Sequence, residues 1–188
     1  MKASLTFFLL LLSAAVLLGQ APNDFRISGA LGFGLTTQSR WIKSAALYVG
    51  WKKADLTYQV DRATGEDNIL QGPSGNTAEW WRQHSLLYTF SKSQASNVRF
   101  STSIGLGYMH GVHRGSEIYS PPLSIFGYII SSSSYEPVPF NAISALLETR
   151  CTLRIGDYVG VGLSALVNAN AHKTFVAAQL WLQCGLLR

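Results

Sequence analysis

The residues able to do chemistry are few, and their spacing works against most of it. His84 and Ser85 are a base and a nucleophile side by side, the two groups that acyl transfer combines. On an extended chain adjacent side chains point to opposite faces, so this pair does not meet. His110 and His113 also diverge on a strand and make a poor metal pair. His113, Ser116 and Glu117 are the best catalytic grouping the chain offers. Gly29, Gly32 and Gly34, and again Gly105 and Gly107, superficially resemble a phosphate loop, yet they lead into no helix and so lack the context that motif needs. Seven charged residues group differently. Arg26, Lys52, Asp55, Arg99, Glu148, Arg150 and Arg154 all fall on the less apolar side of alternating segments. Charges enclosed together must pair, because an isolated ion in a low-dielectric space is costly. The expectation is a salt-bridge plug around Glu148; a narrow path for small anions is the alternative.

The elements that must position these residues are strands. Apolar residues recur with a period of two, the mark of a strand with two different faces. From Phe25 to Leu35 one side reads Phe25, Ile27, Gly29, Leu31, Phe33, Leu35, and the other Arg26, Ser28, Ala30, Gly32, Gly34. Val98–Val112 and Tyr158–His172 repeat the design. Ser44–Lys52, Ala54–Asp61, Asn141–Ile155 and Phe175–Leu187 follow it less cleanly. Trp80–Ser91 is the weakest, since Arg82 and His84 share the side of Leu86, Tyr88 and Phe90. That makes eight strands. Short links (Lys52–Asp55, Ser91–Asn97, Gly156–Asp157) alternate with longer ones (Thr36–Lys43, Ala63–Glu79, Arg114–Pro139), with the Lys173 turn as an exception. Short turns at one end and long loops at the other are the asymmetry of outer-membrane barrels.

A closed barrel can live in water or in lipid. A soluble, lipocalin-like barrel needs a charged outer face, but the less apolar face here is mostly Gly, Ser, Ala, Thr and Asn. Charged residues are 13% of the chain, roughly half the usual share. The apolar face persists over the length a tilted strand needs to cross a bilayer. Aromatics near strand ends (Trp41, Trp51, Trp80, Trp81, Tyr58, Tyr88, Tyr108, Tyr158, Phe175) are placed as interfacial girdles. The expected fold is therefore all-β: an eight-stranded antiparallel up-and-down transmembrane β-barrel.

Lys2, the uncharged apolar stretch Leu5–Leu18 and small Gly19 have the layout of a secretory signal peptide. The division is residues 1–19 as signal and 20–188 as barrel, and the location is the bacterial outer membrane. The net charge of +5 comes with no Lys/Arg run, so no nucleic-acid partner is expected. No cofactor or metal site is expected either. Cys151 and Cys184 fall on outward faces with a strand between them, too far apart for a disulfide.

From Phe25 to Leu187 the chain resembles the small eight-stranded outer-membrane β-barrel family, which includes the transmembrane domain of outer membrane protein A. It departs at its end, Leu186-Leu187-Arg188, where family members often carry a terminal aromatic. The resemblance implies outer-membrane lipid, lipopolysaccharide and the assembly machinery as partners. The longest loop either extends a strand hairpin or folds over the barrel mouth through Leu123–Ile130, or holds a further partner, an extracellular or envelope protein. There Tyr119, Ile125, Phe126, Tyr128 and Tyr135 form an apolar candidate binding surface. A structural or binding role is expected rather than an enzyme; a lipid-A-modifying barrel enzyme, a narrow solute channel and a soluble lipocalin-like barrel are the alternatives.

Overall fold

The computed structural model describes residues 25–38, 40–51, 54–64, 79–95, 97–119, 123–125, 128–130 and 133–185. At residues 25, 51, 54, 91–95, 117–119, 123–125, 128–130 and 133–134 the description covers the backbone alone. Residues 1–19, the expected signal peptide, lie outside it, as do Lys52, Phe126 and the terminal residues 186–188.

Ten strands run in chain order: β1 (Phe25–Thr36), β2 (Trp41–Trp51), β3 (Ala54–Thr64), β4 (Trp80–Ala95), β5 (Val98–Tyr119), β6 (Leu123–Ile125), β7 (Tyr128–Ile130), β8 (Ser133–Ile155), β9 (Val159–Asn170) and β10 (Phe175–Gly185). Eight of them close a barrel in the order β1-β10-β9-β8-β5-β4-β3-β2, and β6 pairs with β7 in a separate two-stranded sheet. Every barrel pairing is antiparallel, and β1 meets β10 with Leu31 opposite Leu182, which closes the barrel.

The eight expected strands are present, with two differences at their ends. β2 begins at Trp41, so the first link shortens to 37–40. Most of the long link Arg114–Pro139 is strand: β5 and β8 continue as one long ladder to Tyr119 opposite Ser133, with a register shift between Arg114 and Glu117, and Leu123–Ile130 carries the paired β6 and β7, as its reading as a hairpin extension expects. The other end has tight turns, one of which uses Gly156 at φ +77°, a left-handed conformation that favours glycine.

Burial is inverted relative to a water-soluble protein. Leu106, Ile143 and Leu163 on the outside are 67%, 77% and 65% exposed, among many other apolar residues. Gln59, Asp61, Gln83, Ser144 and Asn168 on the inside are fully buried. The shortest barrel strands have 11 residues, which matches the roughly 9–11 residues a tilted transmembrane strand needs.

Two of the expected girdle aromatics are not on the outside. Trp81 and Phe175 are buried in the lumen, with ring centroids 5.0 Å apart. Strand parity explains Trp81, because its neighbours Trp80 and Arg82 both face out. Together with Ile42, Met109, Phe140, Leu146 and Leu166 these rings make an apolar cluster. The interior is therefore polar for part of its length, not throughout.

Candidate functional site

The charged part of the lumen lies toward the tight-turn end. Asp55, near the start of β3, accepts from Arg26 of β1 at 3.4 Å and from Arg99 of β5 at 2.5 Å. Further along the axis Glu148 of β8 takes Arg150, two residues on, at 2.6 Å. The Arg150 guanidinium lies 4.1 Å from the Trp181 ring centroid and 5.0 Å from that of Tyr48, so it is held by two aromatic faces as well as by its carboxylate. Trp181 is fixed in turn by donating its Nε1–H to Ser164 Oγ at 2.8 Å. A Cβ on Gly32 would stand 2.8 Å from the Trp181 ring, which is why a glycine faces it.

The seven expected lumen charges thus form two groups rather than one network around Glu148. Arg26, Asp55 and Arg99 make the first, and Glu148 and Arg150 the second. Arg154 faces the same interior and is also partnered, while Lys52 lies outside the described residues. Both groups line one cavity of about 30 Å³. That is room for a water or two and not for a hydrated solute.

Asp61 is a lumen carboxylate that the sequence reading left out. It is fully buried, accepting from Ser44 Oγ at 2.5 Å and from Gln59 Nε2 at 2.9 and 3.1 Å. Gln179 donates to Ser44 at 3.1 Å and extends this belt to β10. Its signal was present in the polar set Asp55, Thr57, Gln59, Asp61 of β3. Hydroxyl and amide donors take the place of a cation at Asp61.

At the opposite end, the mouth, one carboxylate ties the links together. Glu79, just before β4, forms ion pairs with Arg40 of the β1–β2 link and with Lys173 of the β9–β10 turn, the latter at 3.3 Å. It also accepts from the backbone N–H of Arg114 on β5 at 2.9 Å. Glu79 thus joins the β1–β2, β3–β4 and β9–β10 links to strand β5. Burial, then the nearby Arg40, pushes the Lys173 ammonium down to about 8. Burial, then Arg114, also lowers Arg40.

The catalytic candidates His84 and Ser85 do not meet. Ser85 is buried inside, whereas His84 faces out and bonds the Tyr58 hydroxyl through Nδ1 at 2.8 Å. His113 packs on Phe140 with ring centroids 5.7 Å apart. Ser116 is exposed and the Glu117 side chain lies outside the description. Among the described residues no group of three or more His, Cys, Asp or Glu could hold a metal. Cys151 and Cys184 are both free, as expected; across β9 they are also displaced along the strands, Cys151 lying level with Leu163 and Cys184 with Val159. Of the candidate loop surface, Tyr135 stacks on Arg114, whose guanidinium is 5.3 Å from the ring centroid. Tyr119, Ile125 and Tyr128 are placed by their backbone in β5, β6 and β7.

The class defined by these features is a closed eight-stranded antiparallel β-barrel with a filled lumen and an apolar exterior. Among solved structures the chain is similar to the crystal structure of neisserial surface protein A, at 10% identity and a TM-score of 0.48, over 87% of this chain and 96% of that one. No protein-family profile matches the chain, and no curated protein matches it.

Proposed function

We propose that the protein is an exported barrel of the bacterial outer membrane, with a structural and surface-binding role carried by its mouth. The observation that carries this reading is the inverted burial: large apolar side chains cover the outside while Asp61, Glu148 and Arg150 are sealed within. In water that surface would aggregate; in a bilayer it is the stable arrangement. In the orientation common to outer-membrane barrels, the mouth faces the cell exterior and the tight turns face the periplasm. Lipopolysaccharide and the assembly machinery are then its envelope partners.

The β5–β8 ladder supplies the binding surface. These strands have 22 and 23 residues, about twice the length of β2 or β3, so the ladder stands beyond the mouth and carries the β6–β7 hairpin at its tip. Tyr119, Ile125, Phe126, Tyr128 and Tyr135 would present an apolar, aromatic surface to an extracellular or envelope protein. Binding is favoured over catalysis because His84 and Ser85 stand on opposite faces of the wall. It is favoured over conduction because the charged lumen leaves a cavity of only about 30 Å³.

The test has two parts. The outer-membrane fraction should contain a protein whose gel mobility shifts on boiling, and an epitope inserted after Ser132 should be labelled on intact cells. A soluble periplasmic protein with no shift would overturn the membrane reading. Labelling that requires permeabilised cells would overturn the outward orientation of the mouth.

A further inference from the structure

Three cations stand on the apolar exterior where a barrel wall has no evident use for them. Lys43 on β2, Arg62 on β3 and Arg82 on β4 are all exposed and outward-facing. The register places them directly opposite one another, Lys43 against Arg62 and Arg62 against Arg82. Like charges facing across strands destabilise a sheet. Arg62 interrupts the outward apolar set of β3, and Arg82, with His84, that of β4. Among the described residues, none of the three makes an ion pair or side-chain hydrogen bond, and no carboxylate stands on the outward face of β1 to β4.

The row is confined to one side of the barrel. On β9 and β10 the outward positions are Val159, Val161, Leu163, Ala165, Val167 and then Val176, Ala178, Leu180, Leu182 and Cys184, with no charge among them. Cations serving merely to anchor a barrel at an interface would be spread around it. The level nearer the mouth holds Trp41, Thr64 and Trp80, so the row sits just on the membrane side of two interfacial tryptophans. On the other side of the row, toward the mid-membrane, an open groove of about 210 Å³ is lined by Tyr58, His84, Leu86, Leu106 and Tyr108. Its walls are stiffened by the Tyr58–His84 hydrogen bond and by the His84 and His110 rings, whose centroids are 6.1 Å apart.

We infer that Lys43, Arg62 and Arg82 form a binding site for the phosphate of an outer-leaflet glycolipid headgroup, with one acyl chain of that lipid in the groove below. Neighbouring strands are about 4.8 Å apart, so the row spans roughly 10 Å, the scale of one phosphorylated headgroup. Two guanidinium groups side by side match phosphate oxygens bidentately, and the ammonium adds a point charge. The bound anion removes the repulsion that the bare row suffers. The inference rests on the outer-membrane reading and names the lipid contact of one face of the wall.

The experiment uses the mature chain folded in detergent micelles and measures bound lipid by native mass spectrometry. The probes are bisphosphorylated lipid A, the same lipid without its phosphates, and inorganic phosphate. The unaltered barrel should bind bisphosphorylated lipid A. The triple variant Lys43→Gln/Arg62→Gln/Arg82→Gln should bind it about tenfold more weakly, the factor carried by 1.4 kcal/mol. Its boiling-dependent gel shift should persist, and Lys43→Arg/Arg62→Lys/Arg82→Lys should retain binding. Equal binding by the triple variant, or equal binding of the phosphate-free lipid, would overturn the site. Competition by millimolar inorganic phosphate at the same strength would make it a free-anion site and overturn the lipid assignment. A chain that forms no heat-modifiable barrel in micelles would remove the membrane reading and this inference together, whereas a folded barrel that ignores the lipid would remove the inference alone.

Discussion

The two ends of the lumen are filled in different ways. Toward the mouth, Ile42, Trp81, Met109, Phe140 and Phe175 pack as a small apolar core. Toward the tight turns, Asp55 with its two arginines and Glu148 with Arg150 fill the same kind of space with ions. Both fill the interior, but they fail differently. An apolar plug loses stability in proportion to the volume removed. An ion-filled segment depends on every charge keeping its partner, since one deletion strands the other in a low-dielectric interior. The apolar segment is therefore tolerant of small change, and the charged segment is close to all-or-none.

Glu148→Ala tests that contrast most severely. Glu148 is the carboxylate that Arg150 meets, and its removal leaves a cation buried beside Trp181 and Tyr48. Urea unfolding of the barrel in lipid vesicles should show a loss of about 3–5 kcal/mol. The double variant Glu148→Leu/Arg150→Met should recover most of it, because replacing a buried pair by apolar residues of similar size is often neutral. A double variant as unstable as the single one would mean that the charged segment packs like the apolar one and would end the distinction. Ile42→Val, fully buried in the plug, should cost about 1 kcal/mol by the same assay, the ordinary cost of one methylene. A much larger loss there would show that the plug too is all-or-none.

How far each segment could be read from the chain differs for the same physical reason. The eight strands, their facing and the inward charges follow from a period of two, which requires no knowledge of which strands meet. Arg26, Asp55 and Arg99 were each legible as inward, but their pairing was not, because it depends on register across β1, β3 and β5. The apolar plug was hidden because Ile42, Trp81 and Met109 sit on the nominally polar side of strands whose outer side is also apolar. Periodicity cannot separate two hydrophobic faces. Glu79, Arg40 and Lys173 were missed because they belong to links, where no periodicity applies and proximity is set by barrel closure alone.

The mouth offers the mildest test, since its ions meet water. Lys173 sits beside Glu79 and Arg40, and burial with Arg40 holds its ammonium at about 8, below the ordinary value of 10.5. The unfolded chain then holds this proton more tightly than the folded one, so stability should rise slightly between about pH 8 and 10.5. Below pH 8 the group is charged in both states and contributes no slope. NMR titration of isotopically methylated lysines should find one resonance with a midpoint near 8. In Glu79→Gln that midpoint should fall further, because the carboxylate that favours the charged form is gone while Arg40 stays. A midpoint unmoved by Glu79→Gln would show that Glu79 does not tie the mouth links electrostatically. The clasp would then be a matter of packing, like the plug beneath it, and the charged style of filling would be confined to the tight-turn half of the lumen.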